Sequence, residues 1–153
     1  MWQPEVTGSI EIDRPVEEVF DFVADERNEP LYNPTMTSSA KLTPGPIGVG
    51  TRFAATVTSF GRGTSMVVEF TGVDRPHRIE STTNLEGMLI VGEMTFQAVP
   101  AGTRMSWRWQ LRPTGALRLL KPLMALLGQR NERRIWTGLK QHLESRTPSQ
   151  AAS

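Results

Sequence analysis

Few side chains in this 153-residue chain have the type and spacing for chemistry. There is no cysteine, which excludes disulfides, thiolate metal ligands and a thiol nucleophile. The two histidines, His77 and His142, form no His-x-x-x-His or similar ligand spacing, so carboxylates would have to supply most of any metal shell. No metal and no other cofactor is expected. His142 stands near the end of a helical segment, where the dipole favours a cation, and His77 lies in a loop between strands, so structural or solvated roles are expected for both. Glu69 and Glu93 fall on strands and serve as acid or base only if they face inward. Register opposes this: if Met66, Val68 and Phe70 face the core, Glu69 does not, and if Met94, Phe96 and Ala98 do, Glu93 does not. Tyr32, Asn131 and His142 remain as hydroxyl, amide and imidazole, each without a clear partner, and no catalytic residue is assigned.

Residues suited to binding are more numerous. Trp107 and Trp109 stand side by side on the dry face of one strand, where they either stack on a flat ligand or fill a core. Arg104, Arg108 and Arg112 make the wet face of that strand. With successive residues set about 100° apart, Met124, Gly128, Asn131, Ile135, Leu139 and His142 fall near one line of a C-terminal helix. Gly128 either removes bulk over a cavity or marks a bend. Asn131 either offers its amide to a ligand or meets a buried backbone group.

The elements that must position these residues follow from periodicity. Val6 to Ile12 alternates as a half-buried strand; Asp13 is then expected to cap a helix opened by Pro15, Glu17 and Glu18, with Val16, Val19, Phe20 and Val23 as its apolar face. Arg27 to Pro34 reads as a short helical turn ending in a loop, Thr35 to Lys41 as an edge strand and Thr43 to Gly50 as a loop. Strands are expected over Thr51 to Phe60 and Ser65 to Val73, joined by a tight turn at Gly61-Arg62-Gly63, then over His77 to Thr83, Met88 to Val99 and Thr103 to Arg112. The last shows the cleanest alternation. Gly115 to Arg146 is expected to form one long helix, irregular or kinked near Pro122, with Leu117, Met124, Ile135, Trp136, Leu139 and Leu143 on a single face. Consecutive hairpins followed by a helix point to an α+β fold.

The 38% apolar and 22% charged content fits a folded globular protein rather than a disordered or fibrous one. Residues 1–146 read as one domain and 147–153, small and polar, as a fraying tail. A net charge of +1 sets up no broad field, so no nucleic-acid partner is expected. The first five residues lack a secretion pattern, which points to the cytoplasm. Ala116 to Gly128 is interrupted by Arg118, Lys121 and Pro122 and is too short to span a bilayer, so no integral membrane segment is expected. Its leucines, Leu117, Leu119, Leu120, Leu123, Leu126 and Leu127, are too apolar all round for a one-faced helix. A lid or a homodimer contact is favoured over a membrane contact, because Arg118 and Lys121 alone are few for lipid electrostatics.

Several stretches, in this order, resemble the polyketide-cyclase-like proteins of the START-like helix-grip (SRPBCC) superfamily. Ile10 to Phe20 resembles the family's opening strand passing into a proline-started helix, and Tyr32-Asn33-Pro34 its aromatic-Asn-Pro turn, usually written with Trp. Gly48 to Phe53, Val73 to Ile79, Gly102 to Trp107 and Gly138 to Glu144 are similar to later turns, strands and the end of the gripping helix. The resemblance covers Val6 to Ser145 and implies a curved antiparallel sheet of six or seven strands around a long C-terminal helix, after one or two short helices. It also implies a cavity for a small hydrophobic molecule such as a lipid, a polyketide or another aromatic metabolite. Its motifs are scaffold motifs and carry no catalytic set. On the assumed register the walls are Phe53, Val57, Val68, Phe70, Met94, Phe96, Met105, Trp107, Met124, Asn131 and Ile135. Binding or carriage is the first expectation, a cyclase- or dehydrase-like enzyme the second and an interaction or regulatory module the third.

Overall fold

The computed structural model describes residues 3–59 and 61–146; the expected tail at 147–153 lies outside them. Strand β1 (Glu5–Ile12) leads into helix α1 (Val16–Ala24) and a 3-10 segment, η1 (Glu26–Leu31). Six strands follow: β2 (Met36–Lys41), β3 (Arg52–Ser59), β4 (Arg62–Asp74), β5 (Arg78–Leu85), β6 (Met88–Val99) and β7 (Gly102–Pro113). A second 3-10 segment, η2 (Gly115–Leu120), precedes the long helix α2 (Lys121–Glu144). The strands form one seven-stranded antiparallel sheet in the order β1-β7-β6-β5-β4-β3-β2, so β1 and β2 are its edges. This is the expected helix-grip arrangement.

Two local expectations are corrected. The N-cap of α1 is Pro15 and no side chain caps it; Asp13, two residues earlier, stands too far from the first turn, and its amide instead donates to the Glu144 carboxylate at 2.8 Å. The expected single helix from Gly115 begins as 3-10 because Pro122 has no amide hydrogen to extend an α ladder back through Arg118. In the first turn of α2 that missing donor is harmless.

Helix α2 lies along β1 rather than over the middle of the sheet. A Cβ on Gly128 would come within 2.8 Å of Val6, so glycine permits the close approach. The free edge of β1 is then closed by side chains: Gln129 accepts from the Thr7 amide at 3.2 Å and donates to the Thr7 carbonyl at 2.6 Å. Lys140 donates to the Glu11 carbonyl at 2.8 Å. These bonds occupy backbone groups that an edge strand otherwise offers to another chain.

The inner face of the sheet is covered at one end and bare at the other. On β6, Met94 to Gln97 alternate buried and exposed, whereas Met88 to Glu93 are half-buried on both faces. On β4 the alternation likewise starts only at Val68, after half-buried Met66 and Val67. At the covered end Phe20 of α1 meets Phe96 edge-on at 5.1 Å, Phe53 and Phe70 pack at 5.6 Å, and Ile12, Met105, Leu139 and Leu143 are fully buried. At the bare end Met66, Met88, Ile90, Trp109 and Met124 are only partly buried.

Candidate functional site

Acidic side chains gather where the two ends of the groove meet. Segment η1 supplies two of them. A 3-10 helix repeats every three residues, which sets Glu26, Glu29 and the C-capping Tyr32 on one face. Asp25 starts the segment by accepting from the Arg27 amide at 3.2 Å and its guanidinium at 2.8 Å. Just after it, Asn33 is 3% exposed and clamps the turn: its Oδ1 accepts from the Thr35 amide at 3.0 Å and hydroxyl at 2.8 Å, while its Nδ2 donates to Glu29 at 3.2 Å.

Glu132 approaches from α2. Its Oε2 accepts both the Trp109 indole N–H at 3.0 Å and the Trp136 indole N–H at 2.6 Å. The Trp136 ring lies 5.9 Å from that of Tyr32 and 6.0 Å from that of Trp107. The tryptophans are seated on glycines: a Cβ on Gly8 would fall 2.4 Å from the Trp107 ring, and one on Gly92 would fall 2.8 Å from the Trp109 ring. Two buried polar atoms of this region, Glu26 Oε2 and Trp107 Nε1, have no hydrogen-bond partner.

Burial dominates the electrostatics. It pushes the Glu29 carboxyl up to about 7, against the Asn33 bond and assisted by the charge of Glu132. Glu26 is raised well above the usual carboxyl range by burial, then by Glu29 and Asp25. Glu132 is raised by burial in spite of its two indole bonds. Tyr32 is raised by burial and by Glu29, Glu26 and Glu132, which places its phenol within the field of all three acids. Near neutral pH Glu29 is therefore partly protonated, so it can donate a hydrogen bond to an acceptor and can exchange a proton.

The expected wall residues divide by position. Phe53, Val68, Phe70, Met94, Phe96, Met105, Trp107 and Ile135 are buried, at most 6% exposed. Val57 and Met124 are half-buried. Asn131 is exposed, because the inward stripe of α2 runs through Gly128, Glu132, Ile135, Trp136, Leu139 and Leu143 and leaves Asn131 to one side. His142 stacks on Phe22 at 5.5 Å, His77 is exposed, and Glu69 and Glu93 face outward to Arg52 and Arg78. Sequence reasoning missed Glu26, Glu29 and Glu132; the available signal was the three-residue spacing of Glu26, Glu29 and Tyr32. Two open clefts, of about 600 and 390 Å³, lie not between sheet and helix but where α2 meets the link from η1 to β2. Both are lined by Tyr32, Pro34, Gly138 and Gln141. Among the described residues no group of histidines and carboxylates is arranged to hold a metal, and no helix is long and apolar enough to cross a membrane.

Comparison with known proteins agrees with this architecture. A family model described as polyketide cyclase / dehydrase and lipid transport matches residues 3–144. The fold is similar to that of a START superfamily protein from Mycobacterium smegmatis, with TM-score 0.79 at 13% identity, covering 94% of this chain and 99% of that one. It is also similar to the Zhui aromatase/cyclase from a Streptomyces species, with TM-score 0.78 at 13% identity, covering 92% and 93%. A protein from Thermus thermophilus, TTHA0849, gives TM-score 0.75 at 21% identity, covering 90% and 95%. No curated protein matches.

Proposed function

Since the chain belongs to the polyketide cyclase / dehydrase and lipid transport family, we propose that it binds or carries a small, largely hydrophobic molecule at the bare end of its groove. The observation that carries this reading is the burial of β6, where the inward side chains of Met88 and Ile90 are only half-buried, as the outward Leu89 and Val91 are. Apolar surface left open beside a packed core gains about 25 cal/mol per Å² when a ligand covers it. Met66, Met88, Ile90, Trp109 and Met124 supply that surface. Glu132, bonded to Trp109, stands at its inner limit with Glu29, Glu26 and Tyr32 behind it. The ligand that fits has an apolar body and one hydrogen-bond acceptor, such as a carbonyl, that meets Glu29 in its protonated form. Within this reading the protein works in the cytoplasm.

Native mass spectrometry of the purified protein tests it, together with displacement of an environment-sensitive apolar fluorophore. A reproducible bound mass or saturable fluorophore binding is expected, lost in Ile90→Arg. No bound mass, and equal fluorophore binding by both proteins, would overturn the reading.

A second reading, acid–base catalysis on a similar ligand, is favoured by Glu29, whose titration near neutrality suits a proton-transfer group. The variant Glu29→Gln separates the two. It retains binding in a carrier and abolishes turnover of aromatic polyketide substrates, followed by absorbance, in an enzyme.

A further inference from the structure

We propose that the outward face of η2 and of the first half of α2 docks this protein on an anionic lipid bilayer. Leu119, Leu120, Leu123, Leu126 and Leu127 are 85%, 45%, 48%, 54% and 44% exposed, a stripe at helical spacing that no described residue covers. It does not act as a lid. The residues of this segment that turn inward are Leu117, which rests on Gly87, and Met124, which packs on the core; with these in place the outer stripe still faces solvent.

Charge decides what covers it. From Thr114 to Asn131 there is no acidic residue, and Glu132 is turned inward to its two indoles. Immediately behind the leucines the same helix face carries Arg130, Arg133 and Arg134, all exposed and all without an ion-pair partner among the described residues. They line the cleft of about 600 Å³ above Tyr32, Pro34 and Gly138. A second copy fits poorly here, because a two-fold contact sets a face against itself and this one offers only leucine and arginine to bury the guanidinium groups. A bilayer with acidic lipid matches both parts. At about 100° per residue Arg130 and Arg134 continue the line of Leu123 and Leu127, so one face of a helix lying in the interface presents leucine first and arginine behind it. The leucine tip thus reaches the acyl boundary while the arginine turn meets lipid phosphates. Arg118 is exposed on the leading segment and adds to the basic character of the tip.

Sedimentation with sucrose-loaded vesicles tests this, using phosphatidylcholine alone and phosphatidylcholine mixed with phosphatidylglycerol. Preferential pelleting with the mixed vesicles is expected, weakening as sodium chloride is raised. A basic residue near an anionic surface changes partition about fivefold, so the triple variant Arg130→Gln, Arg133→Gln, Arg134→Gln should lose roughly a hundredfold on mixed vesicles. Leu123→Ser and Leu126→Ser should each cost about tenfold. All these positions are exposed, so unchanged thermal melts are expected and confirm that the variants fold. Absence of preference for acidic vesicles, or wild-type pelleting by the leucine variants, would overturn the proposal. So would a dimer in size-exclusion chromatography that ignores vesicles and dissociates on Leu123→Ser, or displacement from vesicles by inorganic phosphate beyond its ionic-strength effect. The first assigns the stripe to a second copy and the other assigns the arginines to a free anion.

Discussion

The two ends of the groove are built from the same strands and differ in what lies over them. At one end α1 and the C-terminal half of α2 press Phe20, Leu139 and Leu143 onto Phe96, Met105 and Ile12, each at most 2% exposed. At the other, α2 lies along β1 and leaves Met66, Met88 and Ile90 only half-buried. One end therefore carries the stability and the other carries spare apolar surface. The acids sit at the border, where burial raises both Glu29 and Glu132 above the ordinary carboxyl value.

The sharpest way to break this division is to cut equally into both ends. Phe96→Ala at the covered end should cost about 3–5 kcal/mol, and Leu139→Ala about 2–5 kcal/mol, since each removes fully buried atoms and leaves a cavity. Ile90→Ala at the bare end should cost less than about 1 kcal/mol, because its side chain is already partly in water. Urea denaturation measures all three. Equal losses would mean that the bare end is core after all.

A smaller effect, dependent on pH, is expected at the border. Glu29 titrates at about 7 in the fold against an ordinary carboxyl value of 4.5. Between those values the native state holds a proton that the unfolded chain has released, so this contribution to stability is fully present below 4.5 and is lost as pH rises through 7. The loss is of the order of 3 kcal/mol. Glu29→Gln should flatten the profile and be the more stable protein at pH values above 7, as read from urea midpoints across the range. A wild-type profile that is flat through this window and unchanged by Glu29→Gln would show that Glu29 is solvated in the fold.

Next in size is Glu132. Both indoles bond to the same oxygen, so Glu132→Gln can still accept from each, whereas Glu132→Leu leaves two part-buried N–H donors without it. A difference of about 2 kcal/mol between the two variants is expected from denaturation.

The fold could be read from sequence because its signals are local. Met105, Trp107, Trp109 and Leu111 alternate with charged and polar neighbours, and that alternation names the inner face of β7 with no knowledge of the rest. The acids could not be read in this way. Arg27 to Pro34 reads only as a short helical turn ending in a loop, and it takes a 3-10 pitch to bring Glu26, Glu29 and Tyr32 onto one face. On α2 the series through Met124, Gly128 and Asn131 and the series through Gly128, Glu132 and Ile135 are both steps of three and four. Contact between Gly128 and Val6 selects the second, and that contact belongs to tertiary packing. The bare end of the sheet is hidden for the same reason: nothing in Met88 or Ile90 records where the helix passes.

The weakest expected effect tests whether position, rather than carboxyl chemistry, gives the interior acids their role. Glu93 is on β6 as Met94 is, one residue along and on the opposite face, where it pairs with Arg78 at 2.5 Å. Its own side chain is 31% exposed and its partner's 48%, and such partly exposed pairs contribute about 0–1 kcal/mol. Glu93→Gln should therefore change the unfolding free energy read from urea denaturation by less than about 0.5 kcal/mol and leave fluorophore binding unchanged. If it instead weakened binding as Ile90→Arg does, the outer face would share in the site and the inner groove would no longer account for it. Unaltered binding in Glu93→Gln beside altered binding in Glu132→Leu ties ligand recognition to the inner face of the sheet.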